Sequence, residues 1–373
     1  MKTTIAIAGG SLAGLMTALE LRAAGAEVEV FERSQRVLDD RGAGIVMQAE
    51  TLEMLTARGT MQEAETGVWL SHRQYLNGDG SVALRQPMPQ LMTSWGLLFQ
   101  SFRREFGPDH YHEDAALEHF TQVEDGITAL FHGLGEVQAS LLVGADGARS
   151  FVRKTQLPAV SPSYAGYVAW RGVIPESSLD PVLMKTFADH FTFQQMPHSH
   201  ALCYLIPGAH GETAPGHRRL NWLWYWNVLP EALPALMTGR DGLAHDFSVP
   251  PGEIATEFLA KQATVARELL SPQFLELWNS TRDPFLQPIL DLAVPRMVHG
   301  RVALVGDAAF IPRPHTAAST SKAAANALGL GAAWIAHAGN VPAVLRAWEP
   351  GQLALGRQLE SHGKTLGHHS QFA

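Results

Sequence analysis

The sequence predicts an α/β protein: a Rossmann-like nucleotide-binding layer, an inserted, largely antiparallel β-sheet and C-terminal helices. Three observations carry that prediction. Residues 3–32 read as strand, glycine-rich turn, helix and strand, and two later hydrophobic strands end in Gly144-Ala145-Asp146 and Gly306-Asp307. Between those two motifs, β-branched and aromatic runs fill residues 164–228.

In chain order, residues 3–8 form a buried strand, 12–24 an Ala/Leu-rich helix and Glu27–Phe31 a second strand, which makes a βαβ start. Helical periodicity returns at Ala49–Arg58 and Trp95–Phe106, whereas Asn77-Gly78-Asp79-Gly80 and Glu124-Asp125-Gly126 are turns between strands. Leu141–Gly144 is the strand that enters the first Gly-Asp motif. The insertion reads as strands at Tyr164–Ile174, Phe187–Gln195, Ala201–Ile206 and Leu220–Val228. Helices follow at Pro251–Leu270 and Pro272–Asn279, then a strand at Arg301–Val305, then helices at Ala317–Ala336 and Val341–Lys364, with Gly367–Ala373 as a mobile tail. The expected partition gives 1–73, 94–163 and 282–373 to the nucleotide-binding part, and 74–93 with 164–281 to a substrate-binding part.

Composition excludes several functions. Lys and Arg number 28 against 36 acidic residues, for a net charge of −8, and no segment gathers enough basic charge to contact nucleic acid. Cys203 is the sole cysteine, so no intrachain disulfide forms, and a reducing cytoplasm is the expected setting. The apolar start Ile5–Ala8 is broken by Gly9-Gly10 and followed by Glu20 and Arg22, unlike a signal peptide. No stretch approaches the ~20 apolar residues that cross a bilayer. His198-Ser199-His200 lacks a third ligand at recognisable spacing and reads as a loop, so no metal is expected.

In Gly9-Gly10-Ser11-Leu12-Ala13-Gly14 the outer glycines match a G-x-G-x-x-G fingerprint, with Ser11 in the middle position. A tight turn of low bulk lets the backbone N–H groups and the positive helix end reach a pyrophosphate, and the Ser11 hydroxyl can donate as well. Glu32, at the end of the second strand, suits the ribose hydroxyls of an adenosine and disfavours a 2′-phosphate. This much says dinucleotide without separating FAD from NAD. The two Gly-Asp motifs separate them: both bring a carboxylate to the C-terminal edge of the sheet, where Asp307 can accept from flavin polyol hydroxyls and Asp146 with Arg149 can organise the crevice near the pyrophosphate.

An N-terminal GxGxxG, a central DG and a C-terminal GD in this order resemble the flavoprotein aromatic hydroxylases. The likeness spans nearly the whole chain and extends to Gly42-Ala43-Gly44-Ile45-Val46, Asn221–Val228, Arg296–Val302 and Pro312-Arg313-Pro314-His315. It implies that Arg33 and Arg41 lie near the FAD adenosine and pyrophosphate, that Gln48 is close to the flavin and that Asp307 meets the ribityl chain. After Pro314, relatives have a Gly-rich helix start facing the flavin pyrimidine ring. Ser319-Thr320-Ser321-Lys322-Ala323 stands there instead, where a helix N-terminus would stabilise negative charge at N1–C2=O and Ser or Thr would cap the helix. Phe310 replaces the His that relatives often carry after GDAA, and Ser94-Trp95 stands where they carry Arg.

The implied activity is hydroxylation of a small, hydroxylated aromatic or N-heteroaromatic ring of the dihydroxypyridine kind. NADH or NADPH binds transiently, since no second nucleotide fingerprint is present, and O₂ reacts through a flavin C4a-hydroperoxide. His315 is the leading candidate for polarising or deprotonating substrate, because imidazole titrates near neutrality and the Pro-flanked turn holds it beside the flavin. Trp222, Trp224 and Trp226 alternate with Leu223 and Tyr225, which makes sheet packing the default for the indoles; Tyr204, Tyr225 and Trp224 are the candidate substrate contacts. A flavin-dependent halogenase would need Ile-Pro after the Trp-x-Trp pair, and a non-catalytic flavin-binding regulator would need an appended partner module; neither is present. Assembly as a homodimer is open.

Overall fold

Short apolar runs flanked by glycine are too brief for helices and become the centre of a sheet buried on both faces. The computed structural model describes residues 4–35, 44–56, 61 and 65–372. The chain begins with β1 (Thr4–Ala8), α1 (Leu12–Ala23) and β2 (Glu27–Phe31), followed by β3 (Gly44–Val46), α2 (Ala49–Thr56), β4 (Val68–Leu76), β5 (Val82–Ser94) and α3 (Trp95–Phe106). Next come β6 (Tyr111–His112), β7 (Leu117–Val123), β8 (Gly126–Phe131), β9 (Gly135–Ala139), β10 (Leu141–Gly144) and α4 (Phe151–Gln156). The insertion holds β11 (Ser163–Pro175), α5 (Pro181–Phe187), β12 (His190–Met196), β13 (Ser199–Ile206), β14 (Arg219–Asn227), α6 (Leu233–Leu236), α7 (Thr256–Leu269) and α8 (Pro272–Ser280). The remainder is β15 (Phe285–Ala293), β16 (Val298–His299), β17 (Val302–Leu304), β18 (Phe310–Ile311), α9 (Ser319–Ala336) and α10 (Val341–Phe372).

Among the described residues the strands form three sheets. The first, in the order β16-β17-β10-β1-β2-β6, is parallel through its centre. Helices α1 and α9 are stacked on it, and α1 is buried on most of its surface because α9 covers it in turn; the first turn of α1 packs against Gly306, and Gly331 of α9 sits over Glu20. The second sheet, β18-β15-β11-β14-β13-β12-β4-β5-β3, is antiparallel from β15 to β12. It draws in 44–46, 68–73 and 285–293, stretches that the sequence partition assigned to the other part. A small β7-β8-β9 sheet closes the nucleotide layer, with Phe131 stacked on Phe31 at 3.7 Å.

Period-two alternation divides the second sheet into two chemically different faces. Trp222 and Trp224 point outward to α8, where Trp278 meets Trp170, Trp222 and Trp224 at ring separations of 5.5, 5.9 and 5.9 Å. Each of those two strand indoles finds an acceptor: Trp222 Nε1 donates to Thr281 Oγ1 at 2.8 Å and Trp224 Nε1 to Ser199 Oγ at 2.9 Å. Asn221, Leu223 and Tyr225 take the inner face, towards the nucleotide layer.

Three expectations are corrected. The stretch read as the start of a strand at Phe187 is the end of α5, because Asp180 caps Val182 and Leu183 N–H and Pro181 preorganises the first turn. The helix expected from Pro251 begins at Thr256, after the Pro250-Pro251-Gly252 turn. Gly367–Phe372 is no mobile tail: it is the last turn of α10, with Gln371 fully buried, its carbonyl accepting from Asn227 Nδ2 at 2.7 Å and Phe372 edge-on to Tyr167. Glycines 356, 363 and 367 on one face of α10 allow this closeness, since a Cβ at 356 would strike the Phe310 ring and at 367 the Tyr167 hydroxyl.

Truncating Trp224, which is fully buried between β14 and α8, removes most of an indole from a packed layer. Trp224→Ala should lower unfolding free energy by about 3–5 kcal/mol, read as a drop in urea midpoint at unchanged m-value.

Candidate active site

The turn between β1 and α1 is made by backbone geometry that only small residues accept. Gly9 sits at φ +107°, where an added Cβ would collide with the Ala145 carbonyl; a Cβ on Gly14 would strike the Gly9 carbonyl. Ser11 needs no glycine, with φ −80°, and its side chain does not cap α1. The first amides of α1, at Leu12, Ala13 and Gly14, therefore stand at an open, positive helix end with a hydroxyl beside them. Glu32 is buried and accepts from Gly10 N–H at 2.7 Å and Ser34 N–H at 2.9 Å, so it braces the turn with one lone pair on each oxygen. Arg33 is exposed just beyond it, and Arg41 lies outside the described residues. Gln48 is half-buried between β3 and α2.

Parallel register brings the other two motifs to the same edge: Ala8 pairs with Gly144, and Gly144 with Leu304. Asp146 Oδ2 caps α4, accepting from Phe151 and Val152 N–H at 2.6 and 3.1 Å, while its buried Oδ1 has no partner. Burial raises the Asp146 pKa, against the capping bonds that lower it. Arg149 stacks over Phe247 at 5.0 Å. Arg153, fully buried, donates to the Ala148 and Ala308 carbonyls at 2.6 and 3.1 Å, tying the two Gly-Asp loops together.

Asp307 is held by the helix start that follows it. Its Oδ1 accepts from Lys322 Nζ at 2.8 Å and Ser319 Oγ at 3.2 Å; Lys322, 1% exposed, also donates to the Phe310 carbonyl. Gly306 N–H donates to Asn326 Oδ1 at 3.0 Å. The capping expectation is corrected: Ala318 is the N-cap of α9 without a side-chain bond, because Ser319 turns to Asp307 and Ser321 to the Ala318 carbonyl. Thr320 is half-buried and Pro314 exposed at this helix entry.

The inner face of the second sheet supplies the opposite wall. Tyr204 pairs with Asn221 and Tyr225 with His200, and across β11 Arg171 pairs with Leu223. Trp224 lies on the other face of β14, so the sheet separates it from this wall. His315 Nε2 lies 2.8 Å from the Tyr167 hydroxyl, with its ring 4.8 Å from Tyr225 and 5.2 Å from His200. Arg313, bidentate to buried Asp291 at 2.9 and 2.8 Å, fixes the Pro-flanked turn that carries it. Burial, then the nearby His200 and Arg313, pull the His315 pKa down to about 3; burial alone pulls His200 to about 4, and burial, opposed by the Arg171 charge, pushes Tyr204 up to about 12. Of the stretch read as a loop, His198 is in a turn but Ser199 and His200 open β13, paired with Met196 and Gln195; no cluster of metal-ligating side chains occurs among the described residues.

Sequence reasoning missed four contributors: Arg153, Asn326, the Arg313–Asp291 pair and Arg171. Arg171 had a signal, a charged residue inside the apolar run Val168–Ile174. Its Nη1 donates to Gln287 Oε1 at 2.7 Å, and its buried Nε has no partner.

These residues fit FAD. Glycine-only approaches surround an open helix end, Asp146 offers an unpartnered buried oxygen, and Asp307 is pinned by Lys322 and Ser319. Gly9→Ala should lose most bound flavin, measured as the 450-nm absorbance retained after gel filtration, with a reduced melting temperature because the new Cβ meets backbone. A second outcome concerns acid. With folded pKa values below the unfolded 6.5, His315 and His200 add nothing above that pH; below it the unfolded chain takes up protons first, so stability falls from pH 6.5 towards 4 by up to about 1.4 kcal/mol per pH unit for each group. Urea midpoints across that range should flatten in His200→Gln.

Comparison with known proteins agrees with this geometry. A family model described as FAD binding domain matches residues 2–226, and one described as FAD binding domain-like matches 164–291. The chain is 35% identical over 355 residues to 2,6-dihydroxypyridine 3-monooxygenase of Paenarthrobacter nicotinovorans, covering 94% of this chain and 87% of that one. The structure of 2,6-dihydroxypyridine-3-hydroxylase from Arthrobacter nicotinovorans superposes with a TM-score of 0.93 at 33% identity, covering 100% of this chain and 93% of that one. Klebsiella pneumoniae HpxO, solved with FAD and uric acid, shares the fold with a TM-score of 0.79 at 19% identity, covering 99% and 89%. No described helix is long and apolar enough to cross a membrane. Three strand-end motifs in one register row, and a relative alike along nearly its whole length, make this chain a member of the FAD-dependent aromatic hydroxylases, flavoprotein monooxygenases that draw electrons from NAD(P)H.

Proposed function

We propose that the protein hydroxylates a small N-heteroaromatic ring that already carries hydroxyl groups, of the dihydroxypyridine kind, in the reducing cytoplasm. The nucleotide layer holds FAD through Gly9–Gly14, Glu32, Arg33, Arg41, Gln48, Asp146, Asp307 and Pro314 with Thr320–Lys322, and the second sheet, which 44–46, 68–73 and 285–293 join, receives the ring. The observation that carries this reading is the polar inner wall of the sheet: Tyr204, Tyr225, Asn221 and Arg171 share one face of β11, β13 and β14, and the His315 ring lies 4.8 Å from that of Tyr225. Likeness to a protein named for 2,6-dihydroxypyridine supports the same substrate class.

Bound FAD, once reduced by NAD(P)H, would supply the activation of O₂, one atom of which enters the ring while the other leaves as water. The side chains orient the ring, exclude water and move its proton. Tyr204 and Tyr225, kept protonated by burial, serve as hydrogen-bond donors to ring oxygens at any working pH. His315, kept neutral by burial, is positioned to accept the proton of a ring hydroxyl. Negative charge developing on the ring raises its basicity at that moment, and the Tyr167 hydroxyl holds the imidazole in place. Removal of the proton makes the ring more nucleophilic towards oxygen transfer.

His315→Ala should slow coupled hydroxylation of 2,6-dihydroxypyridine by about 100-fold or more and remove one limb of the pH–rate profile, with flavin content unchanged. An unaltered rate and profile rejects the role. A panel of hydroxylated pyridines and benzoates, scored for hydroxylated product and not for NADH loss, tests the substrate class; no product from any of them rejects it.

A further inference from the structure

Among the described residues, Arg171 is a cation without a carboxylate partner. It stands on the inner face of β11 opposite Leu223, and its guanidinium spends one N–H on the neutral Gln287 amide and rests 5.4 Å from the Phe285 ring. Its Nε–H is buried with no partner. Among the described residues no carboxylate is paired with it, and Asp291 on the adjacent strand β15 is taken by Arg313 in a two-bond pair. The groups that act on it electrostatically are Tyr204 from β13 and Tyr225 from β14; the histidines of the same wall, His200 and His315, are held neutral by burial.

A second orphan donor lies diagonally across the ladder. Asn221 is two residues from Leu223, so it neighbours Arg171 on the same face of the β11–β14 pair. Its Oδ1 accepts from Gly44 N–H at 3.2 Å, which fixes the orientation of the amide, and its Nδ2 is buried with no partner. Gly44 allows this contact because a Cβ there would press on the Tyr204 ring and the Asn221 amide. Buried donors are nearly always satisfied, and a buried cation more so. Two of them on one face of the same strand pair call for an oxygen that carries charge.

We infer that Arg171 and Asn221 form an oxyanion-receiving pair in the substrate wall, and that the aromatic substrate binds there through a deprotonated ring oxygen. The assignment rests on the hydroxylase reading above and narrows it to anionic rings: the guanidinium takes the charge through Nε–H, the amide of Asn221 donates to the same oxygen, and the aromatic face remains free for the flavin side. Arg171 then stabilises the anion that His315 helps to form at the ring.

The test is ligand binding to oxidised, FAD-loaded enzyme at pH 8, followed by perturbation of the flavin spectrum. The probes are two pairs, 2,6-dihydroxypyridine with 2,6-diaminopyridine, and benzoate with benzamide. In Arg171→Gln the affinity for dihydroxypyridine and benzoate should fall by about 10- to 100-fold, while the two neutral analogues change by no more than about threefold. Arg171→Lys keeps the charge without the fork; it guards against a folding defect and should show a smaller loss for the anions alone. Asn221→Leu should weaken the anions by several-fold. Anion affinity unchanged in both Arg171 variants overturns the inference, as does failure of wild-type enzyme to bind either anion. If wild-type enzyme ignores the pyridines but binds benzoate in an Arg171-dependent way, the oxyanion pair stands and the pyridine reading falls. Dihydroxypyridine bound and hydroxylated equally well without Arg171 leaves the activity standing and removes the pair.

Discussion

One row of backbone register governs the rest of the molecule: Ala8 beside Gly144 beside Leu304. Parallel strands end together at one edge, so whatever follows each strand is delivered to a single crevice. Gly9, Asp146 and Asp307 come from positions spread over about 300 residues of chain, yet their meeting needs no long-range side-chain recognition, only the pairing of three apolar strands. A slip of one residue in β10 would invert its side chains and move Asp146 out of line. Close backbone approach then secures the row: Gly9 lies against the Ala145 carbonyl, and Gly306 beneath Ala13, with no space for a Cβ at either position. Arg153 completes it by bonding both downstream loops through their carbonyls, a use of a buried cation that spends its donors on fixed backbone acceptors.

Charge management follows a consistent pattern around the crevice. Lys322 is paired with Asp307, Arg313 with Asp291 and, farther out, Arg218 with Glu176. Such buried pairs add little net stability, because desolvation offsets most of the Coulomb attraction. Their contribution is position: Lys322 orients the carboxylate that a polyol chain would meet, and Arg313 holds the His315 turn against β15. The solitary Arg171 departs from this pattern on the substrate side, which is why it is informative. Among the described residues, buried Arg153 also lacks a carboxylate partner, yet two of its nitrogens donate to backbone carbonyls, whereas the hydrogen bond described for Arg171 goes to the neutral Gln287 amide.

The sequence was readable where local physics decides the outcome. Trp95–Phe106 and Leu141–Gly144 have the boundaries expected from pattern alone, and the three strand-end motifs could be read because glycine and aspartate after an apolar run leave few alternatives. It was unreadable where tertiary contact decides. Gly367–Phe372 looks like a frayed end, polar and glycine-containing, yet Gln371 is wholly buried because its amide meets His200 and its carbonyl meets Asn227. The hydroxyls of Ser319 and Ser321 looked like caps, but a charged carboxylate and a nearby carbonyl compete for them more effectively than free amides do. Alternation in Asn221–Val228 separated the Trp face from the Tyr face without saying which one looked inward. That choice was made by α8, whose Trp278 supplies an apolar partner for indoles and none for phenols.

That division of β14 also explains how one strand serves stability and chemistry at once. On the outer face Trp222 and Trp224 are packed and hydrogen-bonded, and they anchor the strand so that side chains two residues apart on the inner face keep fixed spacing. The inner face keeps polar groups whose bonding is incomplete, as Asn221 Nδ2 and Arg171 Nε show, and such groups persist only where surrounding structure holds them. Rigid packing on one side of a sheet therefore supports unsatisfied donors on the other. A loop could not do the same, since it would turn its donors to water or to its own carbonyls, and the preorganised preference for an anionic oxygen would be lost.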